Sequence, residues 1–184
     1  MKSILERAIR EQCRTGAGVL LALACASGAH AATASATATA VVLQPMTISK
    51  TADMTFGNLV AGNGTVTMST TGVRSASGST PLPNGVTPAP AYFTIAGSAN
   101  NTFSISTTGS STTLADSGTD TMPVAWFWEV TSTAAGTNQT SGTPATGTLS
   151  SGAAYIFVGA AVTVGATQAA ATYTGTFQVS VDYN

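Results

Sequence analysis

Apolar and polar residues alternate with a period of two through most of this chain, and the clearest run covers residues 172–184. Tyr173, Gly175, Phe177, Val179, Val181 and Tyr183 fall on one side of that run. Thr172, Thr174, Thr176, Gln178, Ser180, Asp182 and Asn184 fall on the other. Successive strand side chains point to opposite faces, so the pattern predicts an amphipathic β-strand. A strand of this kind at the end of the sequence has to pair with earlier strands or with another chain.

A second alternating run covers residues 33–48. Its even positions read Ala34, Ala36, Ala38, Ala40, Val42, Gln44, Met46 and Ile48, small residues first and larger ones later. Pro45 removes one ladder hydrogen bond and predicts an edge, bulge or bend. Two readings are open: a frayed Ala/Thr-rich terminus leading into a first strand, or an extended arm built to lie in a groove.

Shorter runs follow. Residues 54–59 predict a strand with Gly57 as a bulge. The Gly62-Asn63-Gly64 turn leads into residues 64–70, with Val66 and Met68 on one face. Residues 72–78 predict a further edge segment, and residues 79–90, with Pro81, Pro83, Pro88 and Pro90, a loop. Ala91, Phe93 and Ile95 share a face, a turn at 99–101 follows, and Phe103 and Ile105 share the next. Residues 107–121 are polar and turn-rich. Met122, Val124, Trp126, Trp128 and Val130 then alternate with Pro123, Ala125, Phe127 and Glu129. Residues 131–152 read as a long hairpin loop. The last long run places Ala154, Ile156, Val158, Ala160, Val162 and Val164 on one face. Many short period-two segments punctuated by Gly, Pro and Ser predict an all-β fold, an antiparallel β-sandwich.

The amino-terminal residues break this pattern. Lys2, Arg7, Arg10 and Arg14 precede a short apolar run over residues 16–26 and the small-residue signal Ala29-His30-Ala31. This is the layout of a secretory signal peptide, with cleavage expected after Ala31, and the run is too short to span a bilayer. A lipid-attachment reading through Cys25 is the alternative, and Ala22 stands where such a signal favours Leu. Removing residues 1–31 leaves 184 − 31 = 153 residues, one domain's worth. It also removes Cys13, Cys25 and His30, so the mature chain is held together without disulfides. Two basic residues (Lys50, Arg74) and five acids (Asp53, Asp116, Asp120, Glu129, Asp182) remain, a net charge of 2 − 5 = −3. That balance offers no basic patch for nucleic acid, and no second apolar stretch predicts stable membrane insertion.

The residue inventory argues against catalysis. Without His or Cys and with a single Lys, the mature chain lacks the usual nucleophile–base pairs, and its carboxylates are scattered. No enzymatic activity, cofactor or metal is expected. Asp116-Ser117-Gly118-Thr119-Asp120 offers two carboxylates but less ligand density than a calcium loop, and reads as an Asx turn. Trp126 and Trp128 offer a pair of rings of the kind that stacks a sugar, but Val124 and Val130 flank them on the same face and assign them to the core, leaving Phe127 as the outward aromatic. The sequons at Asn63, Asn100 and Asn138 are chance matches in a Thr-rich chain.

Four segments together carry a resemblance: Met54-Thr55-Phe56-Gly57, Gly64-Thr65-Val66, the run Val162-Thr163-Val164-Gly165-Ala166-Thr167-Gln168, and Tyr173-Thr174-Gly175-Thr176-Phe177 with its Tyr183-Asn184 end. In order and spacing they resemble a family of secreted bacterial domains of unknown function, similar to spore coat protein U-like and archaic chaperone–usher fimbrial subunits. The resemblance implies an incomplete immunoglobulin-like sandwich completed by donor-strand addition. On this chain it implies a signal peptide over 1–31, a donor segment over 32–48 and a pilin-like domain over 49–184. Ala38, Ala40, Val42, Met46 and Ile48 would form the donor strand. Tyr173, Gly175, Phe177, Val179, Val181 and Tyr183 would border the groove. The implied partners are further copies of the chain, a periplasmic chaperone and an outer-membrane usher. The implied location is a cell-surface fibre, reached through the periplasm. The rival reading is a self-complemented monomer that binds glycans or surfaces, its arm folded into its own groove. Donor alanines every second residue scarcely fix register, because a two-residue slip keeps them in phase. Val41, Val42, Leu43 and Met46 are therefore expected to set it.

Overall fold

Ala153–Val164 form the longest strand, β9, and the fold is built along it. Ala154, Ile156, Val158, Ala160, Val162 and Val164 alternate on its inner face and are all buried. In the computed structural model, residues 31–78 and 86–184 are described, and the chain divides into two compact units, Met1–Val41 and Val42–Asn184. The described part of the first unit, residues 31–41, carries no regular secondary structure. The export signal expected over 1–31 falls, apart from Ala31, outside the described residues, as do Pro81 and Pro83. Among the described residues no helix is long and apolar enough to cross a membrane.

The second unit is all-β and antiparallel. Its other strands are β1 (Thr47–Ala52), β2 (Gly64–Met68), β3 (Arg74–Ser77), β4 (Ala91–Ala96), β5 (Thr102–Ser106), β6 (Thr113–Ala115), β7 (Thr121–Thr131), β8 (Thr146–Thr148) and β10 (Ser180–Tyr183). β7 runs along one edge of β9, from Val124 opposite Val162 to Thr131 opposite Tyr155. Two strands share the other edge in series. β4 pairs with residues 153–158 and β2 with residues 160–164. β1 and β3 extend the sheet outward from β4 and β2, and β6 extends it from β7. β5 lies between β10 and β8 in a separate three-stranded sheet. Two sheets packed about a common core make the expected β-sandwich.

Between the two strands that share its edge, β9 carries Gly159. A Cβ there would enter the ring of Phe127, its cross-strand partner, and come within 2.6 Å of the Met68 carbonyl oxygen. Phe127 is thus on the outer face, as expected, yet only 6% exposed, because it lies over this glycine. Glu129, also buried, accepts from the Thr137 backbone N–H at 2.8 Å and from the Thr137 hydroxyl. Thr70 and Gln139 then join the turn after β2 to the β7–β8 connection through Thr70 N–H to Gln139 O (3.0 Å) and Gln139 N–H to Thr70 Oγ1 (2.9 Å).

On the inner face the core forms two clusters in series along β9. Ile95, Phe103, Trp128, Leu149, Ile156 and Val158 belong to the first, and Val66, Leu114, Met122, Val124, Val162 and Val164 to the second. Trp126 packs against both. Both tryptophans are core residues, as their flanking valines predict, and each indole N–H has a carbonyl acceptor: Ser111 O for Trp126 and Pro144 O for Trp128. Phe177 sits among three rings, with centroids 5.4 Å from Trp126, 5.7 Å from Trp128 and 6.1 Å from Phe93, all tilted. Tilted aromatic pairs add about 0.5–1.5 kcal/mol each beyond area burial.

Several boundaries differ from the sequence reading. The run at 172–184 is regular only over β10. Upstream, Thr174 bridges Ala115, and the hydroxyls of Ser111 and Ser110 accept the N–H groups of Thr176 (3.0 Å) and Gln178 (2.9 Å). Side chains thus replace backbone where residues 107–110 turn. Residues 54–59 form no continuous strand: Thr55 bridges Ala89, Leu59 makes a second isolated bridge, and Gly57 between them adopts φ +68°. β6 and β8 lie inside segments expected to be turns and loop, since three-residue strands carry too few alternations to read.

Phe177→Ala is expected to lower unfolding free energy by about 2 kcal/mol, less than a fully buried Phe because Phe177 is half-buried. Urea titration followed by tryptophan emission measures it. Gly159→Ala is expected to cost about 1–3 kcal/mol through overpacking against Phe127. Phe127→Leu in the same chain should recover part of that loss.

Candidate functional site

The segment from Gln44 through β1 to residue 61 and the segment from residue 168 through β10 do not meet along their whole length. At one end they are tied. The Tyr183 hydroxyl accepts the Ser98 N–H at 2.6 Å and donates to Gln44 O at 2.9 Å. Gln44 N–H in turn donates to Ser98 Oγ at 2.7 Å. Met46, Ile48, Val179, Val181 and Tyr183 all pack on the first core cluster at this end. Beyond it the two segments part around a groove of about 1010 Å³.

Residues 53–61 form one wall, and Met54, Phe56 and Leu59 pack from it onto the second cluster. The wall is held by the Thr55–Ala89 bridge (2.9 and 3.0 Å) and by Gly62 N–H to Gly165 O (3.1 Å). Arg74 Nη1 donates to the carbonyls of Phe56 (2.6 Å) and Asn58 (3.2 Å). Residues 168–177 form the other wall. The Gln168 amide donates to the Tyr173 hydroxyl (2.7 Å), which donates to Ala169 O (3.0 Å), folding the Ala-rich turn back on itself. The floor is apolar: Ala91, Phe93, Leu114, Met122, Trp126 and Val164.

The backbone of the second wall has a defined sidedness. Thr174, Thr176 and Gln178 turn their N–H and C=O groups toward residues 110–115. In an extended chain alternate residues direct these groups to opposite edges, so those of Gly175 and Phe177 turn toward the groove. An apolar floor flanked by an extended backbone edge fits an added β-strand, which takes main-chain hydrogen bonds from the edge and fills pockets with every second side chain. One charged pair marks the rim, Lys50 with Asp53 at 2.7 Å, exposed and worth about 0–1 kcal/mol. Elsewhere Asp116 Oδ1 accepts the N–H groups of Gly118 and Asp120 at 2.9 and 3.0 Å, closing the Asx turn read from sequence.

The structure divides the residues singled out by sequence. Tyr173, Gly175 and Phe177 line the groove. Val179, Val181 and Tyr183 lie past it, where Val181 and Tyr183 pair with Ile105 and Phe103 of β5. Met46 and Ile48, expected in the donor arm, are instead part of the sandwich. Ile48 pairs with Ile95 in β1, and Met46 packs beside it on the first cluster. Their side chains are large enough to be held by this unit's own core. Val42 is 93% exposed, and Ala38 and Ala40 lie in the stretch without regular structure. Sequence reasoning missed the 53–61 wall as a site and missed Leu114 and Met122 as floor. Leu114 is an isolated apolar residue inside a polar segment, where no period shows, and Met122, though it opens the alternating run at 122–130, is marked by that run only as inward-facing.

No curated protein and no solved structure matches the chain. A family model does, over residues 46–183, which begins just before β1 and ends with β10. That span takes in both groove walls and the floor, and the chain belongs to this family, the domain of unknown function DUF4402.

Proposed function

We propose that this protein is the structural subunit of an extracellular fibre assembled by donor-strand exchange, with the groove between residues 53–61 and 168–177 as the acceptor. The observation that carries the reading is that groove: an apolar floor left open between two walls, one presenting an extended backbone edge. The sandwich is then the incomplete immunoglobulin-like fold of fimbrial subunits. A periplasmic chaperone covers the groove during export, an outer-membrane usher orders assembly, and the fibre serves adhesion or biofilm cohesion at the cell surface.

The occupant is residues 33–44 of a second copy. The stretch is long enough for walls of nine and ten residues at about 3.3 Å per residue. Its alternating Ala and Thr side chains suit a narrow slot, and exposed Val42, in phase with the alanines, supplies a larger apolar group on the same face. Its full burial would gain about 1.5–3 kcal/mol. With Met46 and Ile48 built into the body, register falls to Val41, Val42 and Leu43.

The self-complemented monomer is less well supported. Gln44 is tied through Ser98 and Tyr183 to the end where the two walls are joined, opposite the open part of the groove. A chain entering its own groove from there would have to turn back on itself first.

Deleting residues 33–44 is expected to leave a folded, soluble monomer where the intact chain forms heat-resistant multimers, read by size-exclusion chromatography and unboiled gel electrophoresis. Adding the 33–44 peptide should raise the melting temperature of the truncated chain. Loss of folding on deletion would favour the arm acting within its own molecule, and unchanged multimers would sink the proposal. Val42→Ala with Leu43→Ala should shorten the multimers and lower their dissociation temperature.

A further inference from the structure

We infer that Arg74 is the positioning residue of the acceptor groove, holding the 53–61 wall in the shape that receives a strand. The inference rests on the strand-capture reading of that groove. Arg74 begins β3, an edge strand, and pairs across β2 with Met68, which is fully buried. Cross-strand partners share a face, so the Arg74 side chain leaves the sheet on its core side. There its Nη1 donates to two carbonyls at once, Phe56 O at 2.6 Å and Asn58 O at 3.2 Å.

Two carbonyls two residues apart converge on one nitrogen because Gly57 between them takes φ +68°, a left-handed conformation that a Cβ disfavours. A Cβ at position 57 would also lie 3.1 Å from Nη1 and 2.7 Å from Val86 O. Gly57 and Arg74 therefore work as a pair: the glycine bends the wall and clears the space, and the guanidinium balances the two converging carbonyl dipoles. Phe56 and Leu59, on either side of this bend, are the apolar groups the wall turns onto the second core cluster. Fixing the bend thus fixes the width and the apolar lining of the acceptor.

A plainer role is available for a charged side chain on the core side of an edge strand, which is to keep that edge from pairing with other molecules. The two roles separate experimentally. Edge protection predicts aggregation on substitution with no effect on capture. Positioning predicts that an incoming strand has to order the wall as it binds, at a cost in affinity.

The test uses the full chain at low concentration with a fluorescein-labelled peptide of residues 33–44, read by anisotropy, together with hydrogen exchange. Arg74→Ala is expected to weaken capture about tenfold, because the incoming strand then has to order the wall as it binds. Arg74→Lys should restore part of the affinity, since its ammonium keeps the charge but sits closer to the backbone. Gly57→Ala, with Arg74 present, should give a comparable loss. In each variant, amides of residues 56–62 should exchange faster while those of β9 keep their protection. Equal capture by wild type and Arg74→Ala, or exchange that rises equally in β9, overturns the positioning role and leaves the groove reading standing. Failure of the wild-type chain to capture the peptide overturns both.

Discussion

The pairing of β9 constrains everything else in this fold. One edge is taken continuously by β7, and the other is divided between β4 and β2, which meet it end to end. A strand with two successive partners on one edge places two short strands in line and fixes where their own neighbours, β1 and β3, must run. The core follows the same division, with one apolar cluster over residues 154–158 and another over 160–164. Gly159 marks the change, and Phe127 fills the space above it from the outer face. The second sheet does not extend over both clusters equally. β5, β8 and β10 cover the first, while the second is flanked by the bridged segments at 53–61 and 168–177. The groove lies over that less protected half.

Its two walls are held by different means. On the carboxyl-terminal side, Ser110 and Ser111 substitute hydroxyl oxygens for backbone acceptors, so the chain stays extended beside a turn. On the other side, isolated bridges at Thr55 and Leu59 and the guanidinium of Arg74 hold a bent segment that has no regular ladder over 53–61. Phe177 joins the carboxyl-terminal wall to the body through its contacts with Phe93, Trp126 and Trp128. Polar clasps and an aromatic anchor keep an apolar slot open without a complete strand on either side. Such a slot is an exposed liability in an isolated domain, and covering it with an extended segment offers a gain in both apolar burial and main-chain hydrogen bonding.

The same arrangement accounts for the fate of the amino-terminal run. Residues 33–48 alternate without a visible break, so no local signal separates an arm from a strand. The division comes from side-chain size meeting an existing core. Ile48 is held opposite Ile95, Met46 packs beside it, and Gln44 is fastened by Ser98 and Tyr183. Val42, two residues earlier, has none of this burial.

Sequence alone determined the class of the fold and the inward face of its long strands, because period-two alternation is a property of the backbone and holds whatever partner a strand finds. Ile156, Val158, Val162, Trp126, Trp128, Phe93 and Ile95 were legible as core on that basis, and the Asx turn at Asp116 was legible from local chemistry. The groove was legible only in part. Tyr173, Gly175 and Phe177 were marked by their pattern, but their opposite wall was not, since Phe56 and Phe177 are far apart in sequence and only the tertiary pairings place them on facing walls of one groove. Tertiary structure decided where regular pairing ends, which apolar residues form the floor, and that Arg74 reaches two carbonyls across the edge of the sheet. Those outcomes depend on which strand is in line with which, and a period of two carries no information about that choice.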